Sequence, residues 1–171
     1  LYSRSDVTEL TRRLDIPILV FKHMTEDKIV PERIFKRPLL ATSWSSASLS
    51  AAEYLKEMKA VIKEVHVMHV VSEKELKKSS THDVQKVRKD QRKKLDDLCD
   101  EFEDAGIKAR AHVYVGEPAR EIEKAAREYQ ASLVILGSST RSALVERWVG
   151  SIPQTIADKT VFPCLLIPPP K

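Results

Sequence analysis

The chain has little to staple it or to let it turn freely: two cysteines and four glycines in 171 residues. Collagen-like repeats and disulfide-framework secreted scaffolds are thereby excluded. Aromatic residues make up only 6%, and no apolar run approaches the roughly 20 residues that cross a bilayer. No secretory signal precedes the first polar segment, so a cytoplasmic location without a membrane segment is expected, with Cys99 and Cys164 as reduced thiols. Their spacing suggests no metal site, and no structural metal is expected. The chain opens at Leu1 instead of a methionine, which reads as a piece excised from something longer.

Charge of one sign is also missing. The net charge of +4 is the balance of 29 basic and 25 acidic residues, largely interleaved. The most basic stretch, Lys86 to Lys94, is followed on the same predicted helix by the acidic Asp96 to Asp104. Basic residues without aromatic or base-reading partners supply only sequence-independent attraction, so no nucleic-acid partner is expected.

What is present is alternation. With 42% hydrophobic residues the chain can bury one sizeable core, and one domain with a small appendage is the natural reading. From Pro38 onward short apolar runs alternate with amphipathic stretches, which argues for βα units and a mostly parallel sheet. Strands are expected at Leu39–Thr42, Val65–Val71, Ile107–Val115, Leu133–Leu136 and Val161–Ile167. Ser43, Ser45 and Ser46 offer caps to a helix whose apolar stripe is Ala47, Ala51, Leu55 and Met58. Ser72 to Asp83 lacks periodicity and reads as a loop or a frayed helix start. A long helix follows, with Val84, Val87, Leu95, Leu98 and Phe102 on one face and Gln91 as its polar exception, stopped by Gly106. His66 and His69 are three apart on a strand and face opposite ways, which makes them locally satisfied histidines and not a chelating pair.

Two strands read as edges. Ile107 to Val115 alternates strictly between apolar and polar residues, as a half-exposed strand does. Pro163 confines Val161–Ile167 to an edge or places it at the strand's start.

The beginning of the chain echoes its end. Ser5, Leu10, Pro17 and Leu19 match Ser151, Ile156, Pro163 and Leu165 at a constant offset of 146, that is 163 minus 17. Residues 1–24 therefore look like the last helix and strand of a preceding copy, 25–37 like a charged linker, and 38–171 like a complete domain. The strand Ile16–Phe21, cut from its own sheet, needs a partner, and Val161–Ile167 is the expected one.

Gly137, Ser138, Ser139, Thr140 and Arg141 follow a strand, and Gly150 and Ser151 precede a helix. Open α/β sheets bind ligands beyond the carboxyl ends of their strands, and a helix N-terminus presents N–H groups to phosphate. Gly137 would let a phosphate approach the backbone, and Ser151 would donate a further bond or simply cap the helix.

Here the chain resembles the universal stress protein family, over residues 38–168. The family's G-x-x-G, nine residues, then G-[S/T] is met by Gly137, Gly150 and Ser151, with Thr140 in place of the second glycine. The opening Leu39 to Ser48, the strand end His69-Val70-Val71, the turn Val115-Gly116-Glu117-Pro118 and the ending Pro163 to Ile167 also fit. The resemblance implies an α/β fold: an open, mostly parallel five-stranded sheet in the order 3-2-1-4-5, Rossmann-like, with helices on both faces. It also implies a homodimer or tandem-domain pairing through the 161–167 edge. A bound ATP or AMP would lie at Thr42, Val70, Gly137, Arg141, Gly150 and Ser151. Ser43 stands where the ATP-binding branch has an acidic residue, Thr140 adds a side chain, and Pro153 removes an N–H. Arg141 offers a compensating charge-assisted contact.

Two function classes stay open: a nucleotide sensor, and an interaction module without ligand, such as the cytoplasmic regulatory part of a transporter. An enzyme is not expected. No G-x-x-x-x-G-K-[ST] loop, G-x-S-x-G elbow or acid/base set lies near the crevice.

Overall fold

The computed structural model describes residues 16–21, 33–78, 83–138, 156 and 161–170. After a short strand β1 (Ile18–Val20) the order is β2 (Pro38–Ala41), α1 (Ser46–Glu57), β3 (Glu64–Val71), α2 (Glu73–Lys78) and α3 (Val84–Asp104). Then come β4 (Lys108–Val115), α4 (Pro118–Glu128), β5 (Leu133–Gly137) and β6 (Cys164–Ile167). One six-stranded sheet has the order β1-β6-β5-β2-β3-β4. All neighbours run parallel except β1, which lies antiparallel on β6. The five parallel strands thus show the expected 3-2-1-4-5 arrangement of an open α/β fold.

The central strands read as continuous apolar runs because both faces are covered. On one face Leu40, Val67 and Ile135 meet Ala51 and Leu55 of α1 and Leu95 and Phe102 of α3. On the other Leu39, Met68, Val134 and Leu166 meet Ile122 and Ala125 of α4, together with Ile156. The three longer helices start where local caps place them. The Ser45 hydroxyl accepts from Ser48 N at the start of α1, and the Asp83 carboxylate accepts from Gln85 N and Lys86 N at the start of α3. The Glu117 carboxylate caps α4, with Pro118 in its first turn. Gly106 leaves α3 at φ +86, a left-handed conformation that favours glycine.

Three expectations are corrected. Ser72 to Asp83 is not simply a loop: α2 occupies Glu73–Lys78. The strand expected over Val161–Ile167 begins only at Cys164, after Pro163, whose carbonyl accepts from Val134 N at 2.9 Å. Nor is it an outer strand, because β1 pairs with its far side. The partner expected for the Ile16–Phe21 strand is the one it has, and β4 is a sheet edge as its alternation implied. The capping expected of Ser151 lies outside the described residues; Ile156 is buried.

Candidate functional site

The chain passes from β2 to β3 and from β5 to β6, on opposite sides in the sheet order, and such a switch point is where open α/β sheets have their ligand crevice, beyond the carboxyl ends of the strands. Thr42 and Ser43 continue from β2, Val70 is near the end of β3, and Gly137 and Ser138 end β5. The structure therefore brings these expected site residues to one end of the sheet. Ser139, Thr140, Arg141, Gly150 and Ser151 lie outside the described residues.

Thr42 is buried and its polar atoms are spent within the chain. Its N–H donates to Met68 O at 2.9 Å. Its hydroxyl accepts from Trp44 N at 3.1 Å and lies 3.2 Å from the Ser48 hydroxyl. These bonds turn the chain out of β2 and into α1, with Trp44 held at φ +60. A bulky residue in the left-handed region costs about 1–3 kcal/mol and persists only where the surroundings impose it. Ser43 is exposed, and its hydroxyl meets that of Ser45 at 3.0 Å.

Gly137 is required for close packing. A Cβ there would overlap the backbone of Ala47 and Ser48 at the start of α1. The close approach that sequence assigned to a phosphate is made in this structure by a helix. Val70 is buried in the core on the α4 side, and Ser138 N donates to Ile167 O at 2.7 Å.

A polar network that the sequence did not announce lies beside these residues. The His69 ring, 5% exposed, has Nδ1 at 2.9 Å from Thr42 O and Nε2 at 3.1 Å from Glu75 Oε2. Both ring nitrogens thus face oxygen atoms. Gln91 donates to Glu75 at 2.8 Å and accepts from Trp44 Nε1 at 2.7 Å. The Trp44 ring lies 5.8 Å from the His69 ring, and the Lys94 ammonium lies over the Trp44 ring, 5.8 Å from its centroid. The one signal in the sequence was Gln91, a polar residue on an apolar helix face.

The second strand histidine is placed differently. His66 Nδ1 is 2.9 Å from His112 Nε2, and Tyr129 stacks on both rings. Burial lowers both histidines, His112 to about 4 with help from His66 and Arg92. Tyr114 donates to Glu128 at 2.7 Å, and its phenol is raised by burial and by its bonds to Tyr129 and Glu128. Among the described residues no cluster of three or more histidine, cysteine or acidic side chains could hold a metal. None of the described helices is long and apolar enough to cross a membrane.

Comparison with known proteins agrees with this geometry. The model of the universal stress protein family matches residues 35–168. Universal stress protein MJ0577 of Methanocaldococcus jannaschii is 25% identical over 154 residues, covering 78% of this chain and 95% of that protein. Its structure superposes with a TM-score of 0.68 at 27% identity, covering 81% and 99% of the two chains. A universal stress protein from Archaeoglobus fulgidus shares the fold at 21% identity and a TM-score of 0.69, with 95% of this chain lying on 53% of that one. The fold is also shared with a universal stress protein in complex with cAMP, at 16% identity and a TM-score of 0.59 over 80% and 98% of the chains. An Arabidopsis thaliana family protein with AMP bound shares it at 15% identity and a TM-score of 0.53 over 79% and 92%. The sheet order, the crevice at its switch point and the match over residues 35–168 lead to one conclusion: this chain belongs to the universal stress protein family.

Proposed function

We propose that the domain is a regulatory module that responds to an adenine nucleotide, ATP or AMP, and does not catalyse a reaction. The observation that carries this reading is the crevice beyond β2 and β5, where Thr42, Ser43, Gly137 and Ser138 converge. Relatives of the same fold hold AMP and cAMP. Because the Thr42 side chain is engaged within the chain, a nucleotide here is held mainly by backbone groups of the crevice, with Arg141, Gly150 and Ser151 at its phosphates. The His69 and Glu75 pair is a tie between β2, β3 and α3, not an acid/base set, because its atoms already serve Thr42 and Gln91. The buried side chains of Cys99 and Cys164 suit a cytoplasmic protein.

The domain is, in this reading, the second of two tandem copies. The support is a coincidence of two numbers. Strand β1 crosses β6 with Leu19 opposite Leu165, and those residues are 146 apart, the same offset that aligns the start of the chain with its end. Ile18 lies opposite Leu166 and Val20 opposite Cys164, so equivalent strands meet about a local two-fold axis, as copies of one unit do.

A second reading, an interaction module without ligand, is favoured by the way Thr42, Trp44, His69 and Gln91 satisfy one another at the crevice. Calorimetric titration with ATP, ADP and AMP, with and without magnesium, separates the two. Saturable micromolar binding weakened in Arg141→Ala is the expected result; no binding of any of the three would select the second reading.

A further inference from the structure

The strand β4 is eight residues long and, among the described residues, pairs on one side only, with β3. Lys108 N donates to Lys63 O and Gly116 N to Val71 O. In a parallel pair that phase turns the N–H and C=O of even-numbered β4 residues toward β3. Ala109, Ala111, Val113 and Val115 therefore turn theirs outward, and such a row is a template for another strand.

Helix α3 runs beside this edge, and its border is divided by charge. A groove of about 430 Å3 is lined by Arg88, Lys89 and Arg92 with His112, Val113 and Tyr114. A second, of about 480 Å3, is lined by Asp96, Asp100 and Glu103 with Ala109 and Arg110. Arg92 and Ala111 line both, so the grooves meet there. Among the described residues no hydrogen bond or ion pair engages Arg88, Lys89 or Asp100, whereas Arg92 and Asp96 hold each other at 2.8 Å across one helical turn. That exposed pair is worth only a few tenths of a kcal/mol, about what i,i+4 pairs give, and can exchange partners.

A strand edge that is positive at one end and negative at the other is complementary to itself when turned end for end. We propose that two copies of this chain join antiparallel along β4, about a two-fold axis at Ala111. Ala109 then lies opposite Val113 of the second copy, and the outward backbone groups of both strands find partners. On α3 the same axis passes near Lys94 and places Arg92 beside Asp96, and Arg88 beside Asp100, of the second copy. Ala109 and Ala111 are small on the α3 side, which leaves room for the two helices. An unrelated peptide would need the same division of charge over the same length; a second copy has it by construction. Strand β3 separates this edge from the crevice beyond β2 and β5, so the pairing leaves the crevice open.

Sedimentation velocity over a wide concentration range tests the proposal on the full chain. A dimer weakened by salt is expected. Arg88→Glu and Asp100→Arg should each weaken it about tenfold or more, since every reversal acts twice across a two-fold axis. The double variant should recover the parent affinity. Residues 88 and 100 are about 18 Å apart along one helix at 1.5 Å per residue, so recovery requires contact between copies. Ala109→Pro removes one outward N–H and no bond to β3; it should abolish association while circular dichroism shows the monomer folded. A monomer at every concentration, a dimer indifferent to Arg88→Glu, or a double variant without recovery would each overturn the proposal. The charge variants decide the matter even if Ala109→Pro does not fold.

Discussion

Acidification from pH 7 to pH 5 should destabilise this domain through one stacked histidine pair. His66 Nδ1 and His112 Nε2 are 2.9 Å apart, a contact that one shared proton satisfies, and a second would set two N–H groups against each other. Arg92 and Arg110 add positive charge near His112, and Glu128 only partly offsets them. Burial and these neighbours hold His112 at about 4, below the ordinary 6.5. A histidine lowered in the folded state binds its proton more readily when unfolded. Its contribution is therefore whole above about pH 6.5 and is lost as pH falls toward 4. The full shift corresponds to about 2 kcal/mol at pH 5, and solvent screening of the half-buried ring brings this nearer about 1 kcal/mol. For a chain of this size that is a fall of roughly 2–4 °C in Tm. Thermal melts at pH 7, 6 and 5 of the parent and of His112→Gln provide the assay, because glutamine can keep the bond to His66 without titrating. The parent should lose more Tm than the variant across this window, with His66, lowered for the same reason, accounting for the variant's remaining slope. Equal losses in the two proteins would refute the reasoning.

Gly137→Ala should cost about 1–3 kcal/mol or more, because the added methyl meets helix backbone that has no rotamer to escape into; an unchanged urea midpoint would contradict this. Gln91→Leu should cost about 1–3 kcal/mol by leaving the Trp44 indole N–H without its acceptor and removing the amide bond to Glu75. Tryptophan emission should shift as the Trp44 ring is released, and an unaltered spectrum with unaltered stability would count against the network.

The sheet was legible because its central strands are unbroken apolar runs, and the helices because their stripes and caps are local signals. Helix α2 was not, since Glu73–Lys78 is a short lysine-rich turn with no period to detect. What fixes it is distant: Glu75 reaches His69 and Gln91. The same holds for the candidate site. Gln91 stood out on its helix, but no local rule joins residues 44, 69, 75 and 91, which only the parallel crossovers bring together. At Gly137 the sequence showed that something comes close without showing what. A phosphate and a helix backbone make the same demand on a residue without a Cβ, and here the helix start at Ala47 and Ser48 makes it.

Strand β1 has a practical consequence for where this domain may be divided. The family match begins at Phe35, whereas the last pairing in the sheet is made by Ile18–Val20. A piece excised at the homology boundary would keep every parallel strand and still bare the Cys164–Ile167 backbone, an apolar rim inviting intermolecular stacking. The unit that heredity recognises and the unit that covers the β6 edge differ here by three residues of strand.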